Sequence, residues 1–347
     1  MELVGNVASF PAESLRCVPL FSGLPELIIT RLAGKFRTQT VTLGNKLIVA
    51  WPSDNRSVRI LVPWPTGGAT DQVGRMLAQP LGAALGLSVV VENKGGAGGV
   101  IGTQQFVKEK PDGHSLLLAT SSTNAAAVHL YHRLGFDPLK DFTPVSTLCE
   151  IPNVMVVPTK SPWNSLKDLI DACRKDPGKY TYGSAGIGGS QHLAGAQFKT
   201  ATGLDIRHVP YKGSGPAAQD LIAGHIDMMI DTGSLGSIKG GLLKALAVAS
   251  DKRLPALPEV PTFKEAGVNM LASAWYGLML PAGAPQEVMD RLNRGVLTLL
   301  RSPEIRQKLT SMGALVMGST PQEFAQFVAA EIKRYEVIVR DSGAPKE

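Results

Sequence analysis

Cysteine is scarce in this chain: Cys17, Cys149 and Cys173 are the only three among 347 residues. That number cannot build a disulfide framework, and the spacing matches no metal set. Cys149 and Cys173 could pair in an oxidising compartment or stand as two buried free thiols. The six histidines show no ligand spacing such as HExxH, so no metal and no cofactor is expected. No apolar run approaches the roughly 18 residues of a membrane span. Runs of one charge are missing too. The net charge is +6, but Lys and Arg are scattered and not interleaved with aromatics, which argues against nucleic acid as a partner. There is no GxSxG elbow, and no glycine loop matches the phosphate-binding or dinucleotide patterns, so the usual hydrolase and nucleotide chemistries have no foothold. Residues 1–56 are not expected to act as a secretory leader, since no basic start leads into an apolar core and a small-residue cleavage site there.

What is present is globular. Apolar residues make up 44% and charged residues 18%, which suits packed cores and not extended disorder. The length exceeds one ordinary core and suits two lobes plus an extension.

The organising stretch is 58–71, VRILVPWPTGGATD. Residues 58–62 read as a buried strand. Pro63 and Pro65 end it, because neither donates to a ladder. Gly67-Gly68 lets the backbone turn and lets a ligand approach. Thr70 or Asp71 can cap the helix that follows, in which Val73, Leu77, Leu81 and Leu85 share one face. Backbone N–H groups at a helix start attract anions, so this is either a cradle for a small anion or a tight turn.

Strand, loop and helix then alternate. Strands are expected over 88–91, 115–119, 154–157, 206–210, 226–231, 244–250 and 275–280. Helices are expected over 100–109, 190–202 and 216–223, with three more near the end at 286–300, 303–312 and 321–340. Such alternation predicts α/β architecture with parallel sheets covered by helices, and ligands sit at the carboxyl ends of such strands. Three loops share one build of small residues ahead of a helix: 66–71, 121–124 and 184–192. They offer backbone N–H groups and hydroxyls but no acid–base pair, which suits capture and not catalysis. Individual residues stay open between two roles. Asp71 is a helix cap or a ligand contact, and Asp231 a cap or a ligand contact. His192 is a packing group or a donor. Trp64 and Trp275 are core aromatics or pocket walls. Tyr211 orders its loop or touches ligand, and Met228-Met229 reads as core.

The ordered set of motifs is more specific than any one of them. Pro63-Trp64-Pro65-Thr66-Gly67-Gly68-Ala69-Thr70-Asp71 comes first, then Glu92-Asn93-Lys94-Gly95-Gly96-Ala97-Gly98-Gly99. Tyr182-Gly183-Ser184-Ala185-Gly186 through His192-Leu193 follows, then Pro210-Tyr211-Lys212-Gly213. Val260-Pro261-Thr262, Trp275-Tyr276-Gly277 and Pro281-Ala282-Gly283-Ala284-Pro285 complete it. Over residues 51–345 the set resembles the Bug-type solute-binding receptors of tripartite tricarboxylate transporters. The resemblance implies a bilobed, venus-flytrap fold of the periplasmic-binding-protein type (type II), with two parallel-rich sheets flanked by helices and no enzymatic activity. It implies lobe one over 57–152 plus 274–347, lobe two over 153–273, and crossings near 151–153 and 271–274. The ligand would be a small carboxylate: a di- or tricarboxylate, an acidic amino acid or an aromatic acid. Its contacts would be Trp64, Thr66, Gly67, Gly68, Asp71, Ser122, Thr123, Ser184, Gly186, Ser190, His192 and Asp231. The partners would be membrane permease subunits, the protein itself a monomer and its compartment the periplasm. Residues 1–56 depart from that pattern. Over 14–49 they resemble the opening of a cyclic-nucleotide-binding regulator domain, which leaves cytoplasmic retention and a role as a ligand sensor as the alternative.

Overall fold

The computed structural model describes residues 57–344 and 346, with the backbone of a short antiparallel hairpin, β1 (Thr40–Leu43) and β2 (Lys46–Val49). The regulator-like stretch otherwise lies outside the described residues.

The chain then runs β3 (Val58–Val62), α1 (Ala69–Leu85), β4 (Val89–Asn93), α2 (Val100–Phe106) and β5 (Ser115–Thr120). A π-helical turn, Ser122–Ala126, leads into α3 (Ala127–Leu130), and then come β6 (Phe142–Pro152) and β7 (Val154–Pro158). Next are α4 (Leu166–Lys175), β8 (Thr181–Ser184), α5 (Ser190–Thr202), β9 (Arg207–Pro210), α6 (Ser214–Ala223) and β10 (Met228–Asp231). The last part is α7 (Leu235–Lys239), β11 (Leu243–Val248), β12 (Ser273–Pro281), α8 (Gln286–Arg301), α9 (Pro303–Ser311), β13 (Leu315–Val316) and α10 (Pro321–Ser342).

These strands form two sheets. One has six strands in the order β13-β6-β12-β5-β3-β4, the other five in the order β11-β7-β10-β8-β9. The expected parallel pairing holds for β5-β3-β4 and for β10-β8-β9. The remaining contacts are antiparallel, so both sheets are mixed. The reason is the crossing: β6 and β12 join the lobes and enter the first sheet beside each other in opposite directions. The 11-residue β6 carries Pro144 and several hydroxyl residues, and its weak apolar alternation hid it from a pattern reading.

Each sheet is covered on both faces, which explains the unbroken apolar runs. In β3, Ile60 and Val62 enter one core cluster and Leu61 the opposite one. In β7, Met155 and Val157 face one cluster, Val154 and Val156 the other. This is the two-residue side-chain period of a strand. The helix stripe read from sequence is buried as expected, Val73, Leu77, Leu81 and Leu85 in α1, and α4 buries Leu166, Leu169, Ile170 and Cys173 in the same way. Cys149 and Cys173 are buried free thiols that belong to the cores of different sheets. Where the chain passes between sheets, Asn153 ties the crossings together. Its N–H donates to Ala272 O at 2.9 Å, its carbonyl accepts from Ala249 N at 2.8 Å, and Ala272 N donates to Ala249 O at 3.1 Å.

Candidate ligand cleft

Three helices begin on the same space. α1, α5 and α6 are 17, 13 and 10 residues long and start after Gly68, Gly189 and Gly213, none of which supplies a side-chain cap. Thr70 and Asp71, expected as caps, fall inside the first turn instead, and Ser190 opens α5. The first N–H groups of an α-helix have no intrahelical partner, and the helix dipole places partial positive charge there. Gly68, Ala69 and Thr70 of α1, Ser190 and Gln191 of α5, and Ser214 of α6 line one cleft, joined by Ser122 from the π-helical turn. Among the described residues no charged side chain lines it. Its positive potential is therefore made of backbone dipoles and hydroxyls.

The floor is Tyr276, 2% exposed. Thr70 on one side and Thr232 on the other line the cleft beside it. Burial raises the phenol pKa, so the group stays neutral. Gln191 forms part of the wall: its amide N–H groups donate to Ser214 Oγ and Asp231 Oδ1, both at 2.8 Å. The two sides approach closely at glycine. A Cβ on Gly68 would stand 3.3 Å from Ser214 Oγ, and one on Gly189 would stand 3.5 Å from Trp64 Cη2.

The carboxylates near the cleft are engaged one layer back. Asp71 accepts from Gly67 N (3.0 Å), Arg75 Nε (2.9 Å) and Asn93 Nδ2 (2.9 Å). Burial opposes its charge, but the bonds from Arg75, Gly67 and Asn93 outweigh that and hold its pKa below the ordinary range. Asp231 accepts from Gln191 on one oxygen and from Gly233 N and Ser234 Oγ on the other. Behind the 184–192 loop, Ser184 Oγ and His208 Nε2 lie 2.7 Å apart, and His192 Nδ1 accepts from Gly188 N at 3.2 Å. Burial pushes both imidazoles down to about 4, so each is neutral at pH 7.

Residues 73–344 match the family described as the tripartite tricarboxylate transporter family receptor. The chain belongs to this family. Protein BugT of Bordetella pertussis is 38% identical over 293 residues, covering 83% of this chain and 90% of BugT. Among solved structures, R. palustris Rpa4515 with adipate is 36% identical with a TM-score of 0.82, covering 85% of this chain and 99% of that one. MatC from Rhodopseudomonas palustris with bound malate is 33% identical with a TM-score of 0.77, covering 82% and 99%. The resemblance to Bug-type receptors and the bilobed periplasmic-binding-protein fold are thereby borne out.

In this tricarboxylate-receptor fold, the residues singled out from sequence fall into three groups. Trp64, Gly68, Ser122 and Ser190 line the cleft, and Gly186 lines a chamber beside it that shares Trp64 as a wall. Thr66 and Gly67 are exposed at the rim. Asp71, Thr123, Ser184, His192 and Asp231 are buried behind the lining, with Thr123 bonded to Asn124 Oδ1 at 2.7 Å. Tyr211 ties its loop to α6 by donating to Asp220 at 2.7 Å and also lines the chamber. Trp275 is core, its indole N–H on Glu331 at 3.0 Å. Sequence reasoning missed Thr70, Gln191, Ser214, Thr232 and Tyr276. Ser214, directly after Gly213, and Gln191, two residues after Gly189, carried a usable signal because each stands in the first turn of a helix behind a glycine. Tyr276 and Thr232 did not, because only the meeting of the two sheets makes them neighbours.

Proposed function

We propose that this receptor closes around a small organic acid, seats one carboxylate among the N-termini of α1, α5 and α6, and presents the closed form to a membrane permease. The observation that carries this reading is the convergence of three uncapped helix starts on a cleft that, among the described residues, no charged side chain lines. Such a site favours an anion, and the Ser184–His208 pair lies behind its lining. The adipate and malate held by two relatives support a carboxylate in particular. In this reading residues 57–152 with 274–347 move as one lobe and 153–273 as the other, hinged at Asn153 and at 271–273. A ligand shifts that equilibrium only as far as it touches both lobes, and the cleft is walled by both. The reading places the receptor in the periplasm, which fractionation of the native host tests.

Thermal-shift screening against mono-, di- and tricarboxylic acids tests the binding. A ligand at 100 times its Kd adds about 2.7 kcal/mol of stability, so at least one acid raises the Tm by several degrees. If no acid shifts the Tm, or if a bound acid is turned over, the reading is wrong.

A further inference from the structure

A separate cavity lies behind the strands that join the two sheets. Its volume is about 510 Å³, within the range of about 300–1,000 Å³ usual for small-molecule sites. The sheet order β13-β6-β12-β5-β3-β4 fixes its place. The cleft draws on Tyr276 of β12, Thr120 at the end of β5 and Trp64 just after β3. The cavity draws on Leu315 of β13 and Glu150 of β6. The two therefore open on opposite sides of the crossing strands.

The cavity walls come from both proposed lobes. Lobe one supplies Leu315 and, from α10, Phe327 and Arg334; lobe two supplies residues 251–254. Leu271, on a crossing, also lines it. Leu271 is 50% exposed and Leu315 44%, so two large apolar side chains stay open in one place. The carboxylates of the lobe-one wall are already bound within it. Glu331 accepts from Trp275 Nε1 at 3.0 Å and from Arg334 Nε and Nη2, both at 2.7 Å. Glu150 accepts from Ser273 Oγ. Arg334 keeps Nη1 for a further acceptor, and its side chain is partly exposed. Lys252 and Asp251 are exposed on the lobe-two side. Lys252 and Arg334 together outweigh Asp251, which favours an anion.

We propose that this cavity is a regulatory site for an amphipathic anion, an apolar ring system bearing one acidic group, and that its occupation promotes closure of the cleft. The apolar body packs on Leu271, Leu315 and Phe327, and the acidic group meets Lys252 and Arg334. Because the cavity lies behind the hinge, opening the cleft brings its walls together and closing the cleft parts them. A molecule lodged there holds the closed arrangement. This rests on the two-lobe closure proposed above and adds a second ligand to it.

Fluorescence titration of the full chain with anilinonaphthalene sulfonate, a dye of this chemistry, tests the site. Saturable binding of one dye per chain is expected. Lys252→Gln should weaken it at least about tenfold by removing a charged partner, and Leu271→Trp should weaken it by filling the cavity. Closure is read separately. The dye alone should lower the radius of gyration in small-angle scattering. Adipate or malate should tighten dye binding at least about fivefold, and the dye should tighten the acid by the same factor, because coupling between two sites is reciprocal. No dye binding, dye binding that neither variant moves, or dye displaced by the acid overturns the site. Dye binding that changes neither the scattering nor the acid affinity overturns its link to closure. Failure of both acids to bind counts against the carboxylate reading of the cleft and leaves the dye titration, its variants and the scattering to decide this one.

Discussion

The imidazoles of His192 and His208 stack 4.3 Å apart and 24° from parallel, directly behind the loop that carries Ser190. Tyr182 extends the stack on the other face of His208, at 4.8 Å. Two neutral rings pack well in this geometry. Two imidazolium ions would repel, and a proton on His192 Nδ1 would face the Gly188 N–H it now accepts.

Stability therefore falls with acid. Burial lowers both pKa values to about 4, with His192 and Lys199 adding to the shift of His208. Above the ordinary histidine value of about 6.5, folded and unfolded chains hold the same protons here. Below it the unfolded state takes up protons that the folded state refuses. The loss is at most about 1.4 kcal/mol per pH unit per ring, and partial exposure of His208 reduces its share. Calorimetric Tm should decline from pH 6.5 towards 4, and His192→Phe should flatten the decline. An unchanged slope in the variant would remove the stack as its cause.

Gly68→Val should abolish acid binding with little change in fold. The residue sits at φ −85°, which any side chain adopts, so the backbone is not strained. The new side chain points at Ser214 Oγ, 3.3 Å from its Cβ. Calorimetry should show affinity down more than about tenfold, or 1.4 kcal/mol, with a Tm near that of the parent.

Tyr276→Phe removes a buried hydroxyl that Thr70 and Thr232 flank in the cleft. Leaving buried polar neighbours without a partner costs about 1–3 kcal/mol. The cost falls on the closed form, where the two sides meet. Small-angle scattering of the ligand-free variant should give a larger radius of gyration than the parent; identical curves would show that this hydroxyl does not favour closure.

Asp71→Ala should loosen the first loop without removing any lining side chain. Asp71 holds Gly67 N, Arg75 and Asn93 together, and losing charged hydrogen bonds of this kind costs about 1–3 kcal/mol. Urea unfolding should report that loss, and hydrogen exchange should show faster amides over 66–71.

Cys149 and Cys173 should resist alkylation in the native protein and react on unfolding. Both are buried, and burial raises both thiol pKa values, that of Cys173 to about 11. Peptide mapping after iodoacetamide treatment distinguishes the two states. A disulfide between them would contradict their placement in separate cores.

Much of this molecule was legible in its residues. The apolar runs of β3 and β7, the stripe of α1 and the three helices near the end follow from local period. The glycine loops ahead of α1 and α5 could be read one by one as helix starts offering backbone N–H groups, because that property belongs to a few consecutive residues; the start of α6 was not read that way. What only the tertiary structure decided is which of these residues touch. Sequence could not tell that Asp71, Ser184, His192 and Asp231 turn back to brace their own loops. A carboxylate or an imidazole reads the same whether it faces ligand or an amide behind it. Nor could it bring Thr70, Thr232 and Tyr276 to one cleft, because Thr70 opens α1, Thr232 follows β10 and Tyr276 lies in β12, elements far apart in the chain that belong to different sheets.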